Sequence, residues 1–128
     1  MAVVVIDTSA LVDHLRGHAA ATRILDDAAA DGRELRASVV TKVELLWNMR
    51  ASEKSEVRVL IEALEWSPVS DAIAETAGRL ARRFRASHAS IDLADYVIGA
   101  TAIEHAGVLW TCNVEHFPMF EDLEPPYV

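Results

Sequence analysis

Residues 3–11 read VVVIDTSAL, and this stretch decides the fold class. Its first four residues are β-branched and apolar without interruption, which is typical of a strand buried on both faces, as in a parallel sheet. Asp7 follows the strand directly, and a helical pattern then runs from Ala10 to the neighbourhood of Gly17. The apolar run is too short to span a bilayer, so we interpret it as the first strand of an α/β domain.

Strand-like and helix-like segments alternate along the rest of the chain. Strands are predicted at 35–40, 66–69 and 108–111, and helices at about 19–30, 41–47, 53–65, 70–86 and 91–106, the last one followed by Gly107 at the position that often terminates a helix. This alternation predicts an α/β fold with a central, mostly parallel sheet and helices on both faces. No linker or repeat divides the chain, so we expect one domain over residues 1–128.

Composition limits the compartment and the partners. Hydrophobic residues make up 52% of the 128, which argues against disorder. Cys112 is the only cysteine, so no disulfide forms within the chain and a cytoplasmic location is expected. The net charge of −8 is unusual for a protein that binds nucleic acid, because Lys and Arg supply most of the affinity for phosphate. Divalent cations held by carboxylates would reverse that sign locally.

Acidic residues stand at the predicted edge of the sheet where ligands bind in such folds, beyond the carboxyl ends of the strands. Asp7 follows the first strand. Glu44 fits a capping box with Thr41, which would account for it without any function. Asp92 and Asp95 lie one turn apart on a helix, where acids also stabilise a helix start. Acids gathered at one edge repel each other, and a divalent metal ion is the usual solution.

Four segments resemble the motifs of the PIN domain family. They are Val4–Leu11 (VVIDTSAL), Val39–Leu45 (VVTKVEL), Leu93–Ala102 (LADYVIGATA) and Gly107–Phe117 (GVLWTCNVEHF). Together they cover almost the whole chain in the right order. The length is similar to that of the VapC toxins of bacterial VapBC toxin–antitoxin pairs.

The resemblance implies a PIN-like three-layer α/β/α fold and a Mg²⁺-dependent endoribonuclease, with Mn²⁺ as a substitute. It further implies a homodimer that a cognate VapB-type antitoxin inhibits. Residue by residue it makes Asp7, Glu44 and Asp95 metal ligands and Asp92 an auxiliary catalytic acid. We expect a water activated by the metal and a carboxylate to attack an RNA phosphodiester in line.

Supporting positions follow from the same resemblance. Ser9 and Thr111 match hydroxyl positions that orient the site. The closing motif often carries an acid near Asn113, and here the choices are Asn113, Glu115 and His116. Asn113 adds no charge, although its amide oxygen can coordinate a cation or position a water.

Other polar and aromatic residues have two interpretations each. Four arginines within seven residues fit two interpretations equally, a solvated helix face or a surface that guides RNA or an acidic partner; they are Arg79, Arg82, Arg83 and Arg85. Three tryptophans occupy apolar contexts that favour the core over base stacking; they are Trp47, Trp66 and Trp110. Cys112 is expected to be a small core residue rather than a nucleophile.

Two alternatives to a nuclease remain open from the sequence. An Asp-dependent phosphatase or phosphotransfer domain also uses an Asp after its first strand, but usually has a second Asp two residues on, where this chain has Ser9. A PIN-fold binding module without activity would be consistent with Asn113 in place of an acid.

Overall fold

The computed structural model describes residues 2–128, which form alternating strands and helices. The strands are β1 (Val4–Ile6), β2 (Leu35–Ser38), β3 (Glu65–Ser67) and β4 (Val108–Trp110). The helices are α1 (Thr8–Leu15), α2 (Ala19–Ala30), α3 (Val39–Asn48), α4 (Lys54–Ala63), α5 (Asp71–Phe84) and α6 (Leu93–Glu104). Short 3₁₀ turns lie at Ala51–Glu53 and Val114–His116.

The strands form a parallel sheet in the order β3-β2-β1-β4, so the VVVI run lies in its interior. Val4, Val5 and Ile6 are fully buried. Val4 and Ile6 pack into one core cluster, whereas Val5 packs into a second one with Phe117. Successive side chains of a strand point to opposite faces, so helices cover both faces and the predicted three-layer architecture is confirmed.

Helix α6 is the central helix of the second layer, as its apolar sequence predicts. Every residue from Tyr96 to Ala102 is buried. The helix packs against α5 through a third core cluster that includes Ile73, Ala77 and Val97. Its amino end lies at the protein surface, where Leu93 is 74% exposed, and the helix is buried from Tyr96 to Ala102.

The boundary between β2 and α3 differs from the prediction. The strand ends at Ser38 instead of Val40, and the Ser38 side chain caps α3 by accepting a hydrogen bond of 3.2 Å from the backbone N–H of Val40. Thr41 therefore lies inside the helix and is fully buried. The predicted capping box of Thr41 and Glu44 is wrong, because Val39 and Val40 adopt helical geometry despite their β-branched side chains.

The end of α6 also differs from the prediction in one residue. Ala106, not Gly107, has the left-handed backbone conformation, with φ of 49°. The N–H of Ala106 bonds to the carbonyl of Ile103 and that of Gly107 to the carbonyl of Ala102, which is the Schellman pattern. Gly107 is needed for another reason, since a Cβ there would stand 2.8 Å from the Val3 carbonyl oxygen.

The tryptophans divide into two groups. Trp66 and Trp110 are half-buried and pack against the first core cluster, broadly as expected. Trp47 is 82% exposed, so its expected place in the core is wrong. It shares the outer face of α3 with Val43 and Leu46, which are also exposed.

Candidate metal and active site

An open cavity of about 370 Å³ lies beyond the carboxyl ends of β1 and β4. It is lined by Asp7, Thr8, Ser9, Val12, Asp13, Glu44, Asp92, Asp95, Asn113 and His116. The four acids that the sequence singled out thus share one cavity, although they come from the end of β1, from α3 and from the start of α6. The sheet topology brings them together at the edge where a parallel α/β fold places its ligands.

Asp7 is held by two hydroxyl groups. The side chains of Ser9 and Thr111 donate hydrogen bonds of 2.9 and 2.8 Å to its Oδ2 atom. Each hydroxyl accepts a bond in turn, Ser9 from the backbone N–H of Cys112 and Thr111 from that of Asn113. Because each hydroxyl oxygen accepts a hydrogen bond from the backbone, its own hydrogen points to Asp7.

The remaining oxygen of Asp7 is available for a ligand. Asp7 occupies the N-cap position of α1, yet its side chain makes no capping hydrogen bond. Among residues 2–128, hydrogen bonds reach its Oδ2 and none reaches its Oδ1. The residue is 4% exposed. In the part of the chain that the structure describes, Oδ1 of Asp7 is not one of the fully buried polar atoms that lack a partner, so it faces the open cavity, where water or a cation can reach it.

Glu44 lies on α3 and faces the same cavity. The Thr8 hydroxyl donates a hydrogen bond of 2.7 Å to its Oε1 atom. Burial raises the pKa of Glu44, the bond from Thr8 opposes this, and the negative charges of Asp7 and Asp92 raise the pKa further. Asp7 and Asp92 are therefore close enough to Glu44 for their charges to disfavour its ionisation.

Asp92 and Asp95 form a capping box at the start of α6. The Asp95 N–H bonds to Oδ1 of Asp92 at 3.0 Å, and the Asp92 N–H bonds to Oδ2 of Asp95 at 3.3 Å. Asp92 and Asp95 therefore cap α6 and also line the cavity. Burial and the charges of Asp92 and Asp7 raise the pKa of Asp95 to about 6, against the lowering effects of the Asp92 N–H and His116.

The donor set suits a hard divalent cation. Five carboxylates line the cavity, and none of its lining residues is a lysine or an arginine. As the side chains of residues 2–128 stand, no three His, Cys, Asp or Glu groups are arranged to enclose an ion. Mg²⁺ does not need such a cage, because it binds through one or two carboxylates and keeps waters. The residues present fit that mode of binding.

Three residues that line the cavity were not predicted from the sequence as site residues: Thr8, Val12 and Asp13. Asp13 lies four residues after Ser9, and residues at this spacing share one face of a helix. This spacing was the feature of the sequence that could have indicated Asp13. In the structure the Tyr127 hydroxyl donates a bond of 2.7 Å to Asp13. The Cys112 thiol lies 3.1 Å from the Tyr127 hydroxyl, and burial raises its pKa, which agrees with a structural cysteine.

The three arginines of α5 and Arg85, which follows the helix, do not line the cavity. All four are exposed, as for a solvated helix face. Arg79 donates a bond to the Thr76 hydroxyl, and the guanidinium of Arg83 lies 4.9 Å from the ring centre of Phe84. A role for Arg79, Arg82 and Arg83 in substrate binding stays a prediction.

Comparisons with known proteins agree with this geometry. The model of the PIN domain family matches residues 4–118. Two relatives from Mycobacterium tuberculosis are Ribonuclease VapC19, 48% identical over 95% of this chain and 98% of the relative, and Ribonuclease VapC10, 44% identical over 97% and 92%. The chain therefore belongs to the PIN domain family. Both of these relatives are named as VapC ribonucleases.

Solved structures show the same fold at lower sequence identity. A toxin–antitoxin complex from Klebsiella pneumoniae matches with a TM-score of 0.79 and 24% identity, over 97% of this chain and 98% of that one. VapBC2 from Rickettsia felis, bound to a DNA fragment from its promoter, matches with a TM-score of 0.79 and 19% identity, over 94% and 95%. The expected PIN fold is confirmed.

Proposed function

We propose that this protein is a divalent-metal-dependent endoribonuclease and the toxin of a VapBC-type toxin–antitoxin pair. One observation carries the proposal. The carboxylates of Asp7, Glu44 and Asp95 converge on one cavity, with an oxygen of Asp7 left free, in a chain 48% identical to a named ribonuclease.

The metal would be held by Asp7, Glu44 and Asp95, with Asp92 beside them, and Mg²⁺ is our choice, with Mn²⁺ as a substitute. When bound, such a cation acidifies a water molecule and neutralises charge on a phosphodiester. The protein's part is to hold the Asp7 carboxylate in place through Ser9 and Thr111. In the metal-free protein, burial and neighbouring acids raise the pKa values of Glu44 and Asp95, so a cation that joins them would favour their ionised, ligating form. Asp92 would then be the carboxylate suited to accept a proton from the attacking water.

The partners we propose are an RNA substrate, a VapB-type antitoxin and a second copy of this chain. The solved toxin–antitoxin complexes of the same fold support the antitoxin. Exposed apolar side chains on α3 and α4, at Val43, Leu46, Trp47 and Val59, are consistent with surfaces that a partner covers.

No helix within residues 2–128 is long and apolar enough to cross a membrane. We retain the cytoplasm as the proposed location, on the strength of the lone cysteine.

Two substitutions test the enzyme. Asp7→Asn and Asp95→Asn should leave the protein folded, with RNA cleavage reduced at least about 100-fold, since both remove a ligand charge and keep the side-chain size. Asp27→Asn is the matched control, because Asp27 is an exposed acid on α2 that does not line the cavity. Full activity in either site variant would refute the assignment.

The same assay separates the alternatives. A chain that binds Mg²⁺ in calorimetry but cleaves no RNA would be a silent PIN module, for which Asn113 at the cavity gives some reason. Hydrolysis of a small phosphomonoester would instead favour a phosphatase, although Ser9 here bonds to Asp7 where a second acid would be needed. Induced expression with and without the neighbouring antitoxin gene, followed by mapping of RNA ends, tests the toxin role in cells.

A further inference from the structure

The basic residues of this acidic chain are concentrated in one segment. The net charge is −8, yet four of the 12 lysines and arginines lie within seven residues: Arg79, Arg82, Arg83 and Arg85. Residues 76–91 contain no Asp or Glu. All four arginines are exposed, and no salt bridge within residues 2–128 involves them. The segment is therefore a basic surface that no acid of the chain neutralises.

The end of a helix explains only part of this concentration. Cations in the last turn complement the partial negative charge at the carboxyl end of a helix, and Arg82 and Arg83 lie in the last turn of α5. Residues 86–91, however, lie beyond α5 and lead to the amino end of α6, where acids are favoured. The absence of acids there needs another explanation.

The arginine end of α5 lies beside the amino end of α6. At the far end of this helix pair, the Thr76 hydroxyl donates a hydrogen bond of 3.2 Å to Glu104, the last residue of α6. Phe84, the last residue of α5, packs against the core cluster that contains Tyr96 from the start of α6. The two helices are therefore antiparallel, and the arginines lie at the end of the pair where α6 supplies two acids to the cavity.

The connection between the two helices is tied down by backbone hydrogen bonds. The N–H of His88 bonds to the Phe84 carbonyl at 2.8 Å, and the N–H of Ile91 bonds to the His88 carbonyl at 3.3 Å. Ile91 is buried, and Asp92 after it caps α6 and lines the cavity. The backbone that carries Arg85 is thus joined to the rim of the cavity by an ordered turn.

An RNA strand needs cations outside the cavity. Five carboxylates line the cavity, and none of its lining residues is a lysine or an arginine. A divalent cation offsets negative charge at the phosphodiester that it contacts. The neighbouring phosphates of the strand carry their own charges, and affinity for them comes from Lys and Arg. Exposed arginines suit this contact because a guanidinium donates two parallel hydrogen bonds to a phosphate.

We propose that Arg82, Arg83 and Arg85, the arginine cluster, form a surface that binds backbone phosphates of RNA next to the phosphodiester in the cavity. The inference rests on the proposed function, because it takes RNA as the substrate. It differs from the sequence prediction in two residues. Arg85 belongs to the surface, whereas Arg79 does not, since its guanidinium bonds to Thr76 at 3.0 Å, one turn further from the cavity.

The test measures the binding of a fluorescently labelled single-stranded RNA by anisotropy, in EDTA and at a series of KCl concentrations. The double variant Arg82→Gln/Arg85→Gln removes two charges of the cluster. Arg23→Gln/Arg58→Gln is the matched control, because it removes the same charge from exposed arginines of α2 and α4 that do not line the cavity. Arg79→Gln tests the same helix. Poly-glutamate is titrated alongside as a probe for an acidic protein segment.

We expect the cluster variant to bind RNA at least about tenfold more weakly at low salt, and the control and Arg79→Gln to stay within about threefold of the parent protein. The slope of log K against log[KCl] should become shallower by about 1.4, since each contact with a phosphate of a single strand contributes about 0.7. In RNA cleavage with Mg²⁺, KM should rise in parallel while kcat changes little, because the cluster does not touch the phosphodiester that is cut.

The outcomes separate this inference from the proposed function. The arginine cluster is the wrong surface if its variant binds RNA as the parent does, if the control loses as much affinity, or if the parent binds no RNA at low salt. Loss of poly-glutamate binding with unchanged RNA affinity also overturns the inference, in favour of an acidic protein segment. A parent protein that binds RNA through the cluster, but cleaves none with Mg²⁺ or Mn²⁺, overturns the proposed function alone.

Discussion

The Thr111 hydroxyl donates a hydrogen bond of 2.8 Å to Oδ2 of Asp7, although 104 residues separate the two in the chain. Each follows directly after a strand, and the register of those strands pairs Ile6 with Trp110. The Asp7 N–H continues this ladder by bonding to the Trp110 carbonyl at 2.9 Å. The orientation of the principal carboxylate thus depends on the parallel pairing of β1 with β4.

Replacing Thr111 should therefore disturb both stability and metal binding. Thr111→Val keeps the shape but leaves the Asn113 N–H without its acceptor and Asp7 with a single donor. We expect a loss of about 1–3 kcal/mol in the free energy of unfolding and roughly tenfold weaker Mg²⁺ binding. Urea denaturation and calorimetry measure the two effects.

Thr111→Ser is the matched variant, because it retains the hydroxyl and loses only a methyl group. It should keep Mg²⁺ affinity within about threefold and lose mainly packing energy. If Val and Ser weaken Mg²⁺ binding equally, the hydroxyl does not orient Asp7 and the interpretation of this contact is wrong.

The raised pKa of Asp95 predicts an inverted pH dependence for the metal-free protein. The folded state holds the Asp95 proton more tightly than the unfolded chain, because its pKa is about 6 instead of the ordinary 3.8. The stabilisation from this proton is complete below the unfolded pKa and is lost as the pH rises through about 6. Denaturation in EDTA should therefore show higher stability near the lower end of that window than at neutral pH.

Asp95→Asn checks the cause of that trend. The variant should lose much of the dependence on pH and gain about 1 kcal/mol at neutral pH, since one pKa unit corresponds to about 1.4 kcal/mol. Asp27 is an exposed acid, so Asp27→Asn should change neither the pH dependence nor the stability at neutral pH. An Asp95→Asn variant that is less stable at neutral pH without metal would show that the carboxylate is not strained in the folded state.

Most of the fold was predictable because a strand or helix that is buried on all sides has a continuous apolar sequence. The VVVI run and the apolar α6 could be placed without coordinates, and Val4 to Ile6 and Tyr96 to Ala102 are buried as predicted. The boundaries failed where tertiary packing overrode local preference. Val39 and Val40 favour a strand, yet they begin α3 behind the Ser38 cap.

The sequence indicated which acids belong to the site, but not which side chains contact one another there. Position after a strand indicated Asp7, and spacing on a helix indicated Asp92 and Asp95. The contact of His116 with Asp95 could not be foreseen, because it depends on a 3₁₀ turn whose direction the buried Phe117 sets. Distances across three separate segments are a property of packing, which a single sequence does not display.

The Schellman motif after α6 gives opposite predictions for two adjacent residues. Ala106→Gly should raise the free energy of unfolding by about 0.5 kcal/mol, because glycine adopts the φ of 49° without the cost that alanine bears. Gly107→Ala should lower it by 1 kcal/mol or more, on the order of a strained core site, since the new Cβ would meet the Val3 carbonyl at 2.8 Å. Stabilisation by both substitutions, measured by denaturation, would show that the helix ends one residue later, as the sequence alone suggested.

The exposed position of Trp47 can be tested by stability alone. Trp47→Ser should change the free energy of unfolding by no more than about 0.5 kcal/mol, because 82% of the residue is already exposed. A tryptophan in the core, as the apolar context predicted, would cost about 3–5 kcal/mol on truncation. Leu45→Ala is the comparison on the same helix, since Leu45 is 2% exposed and should cost about 2–5 kcal/mol. Measurements at low protein concentration exclude stabilisation by association, and a large loss for Trp47→Ser under those conditions would place its ring in the core after all.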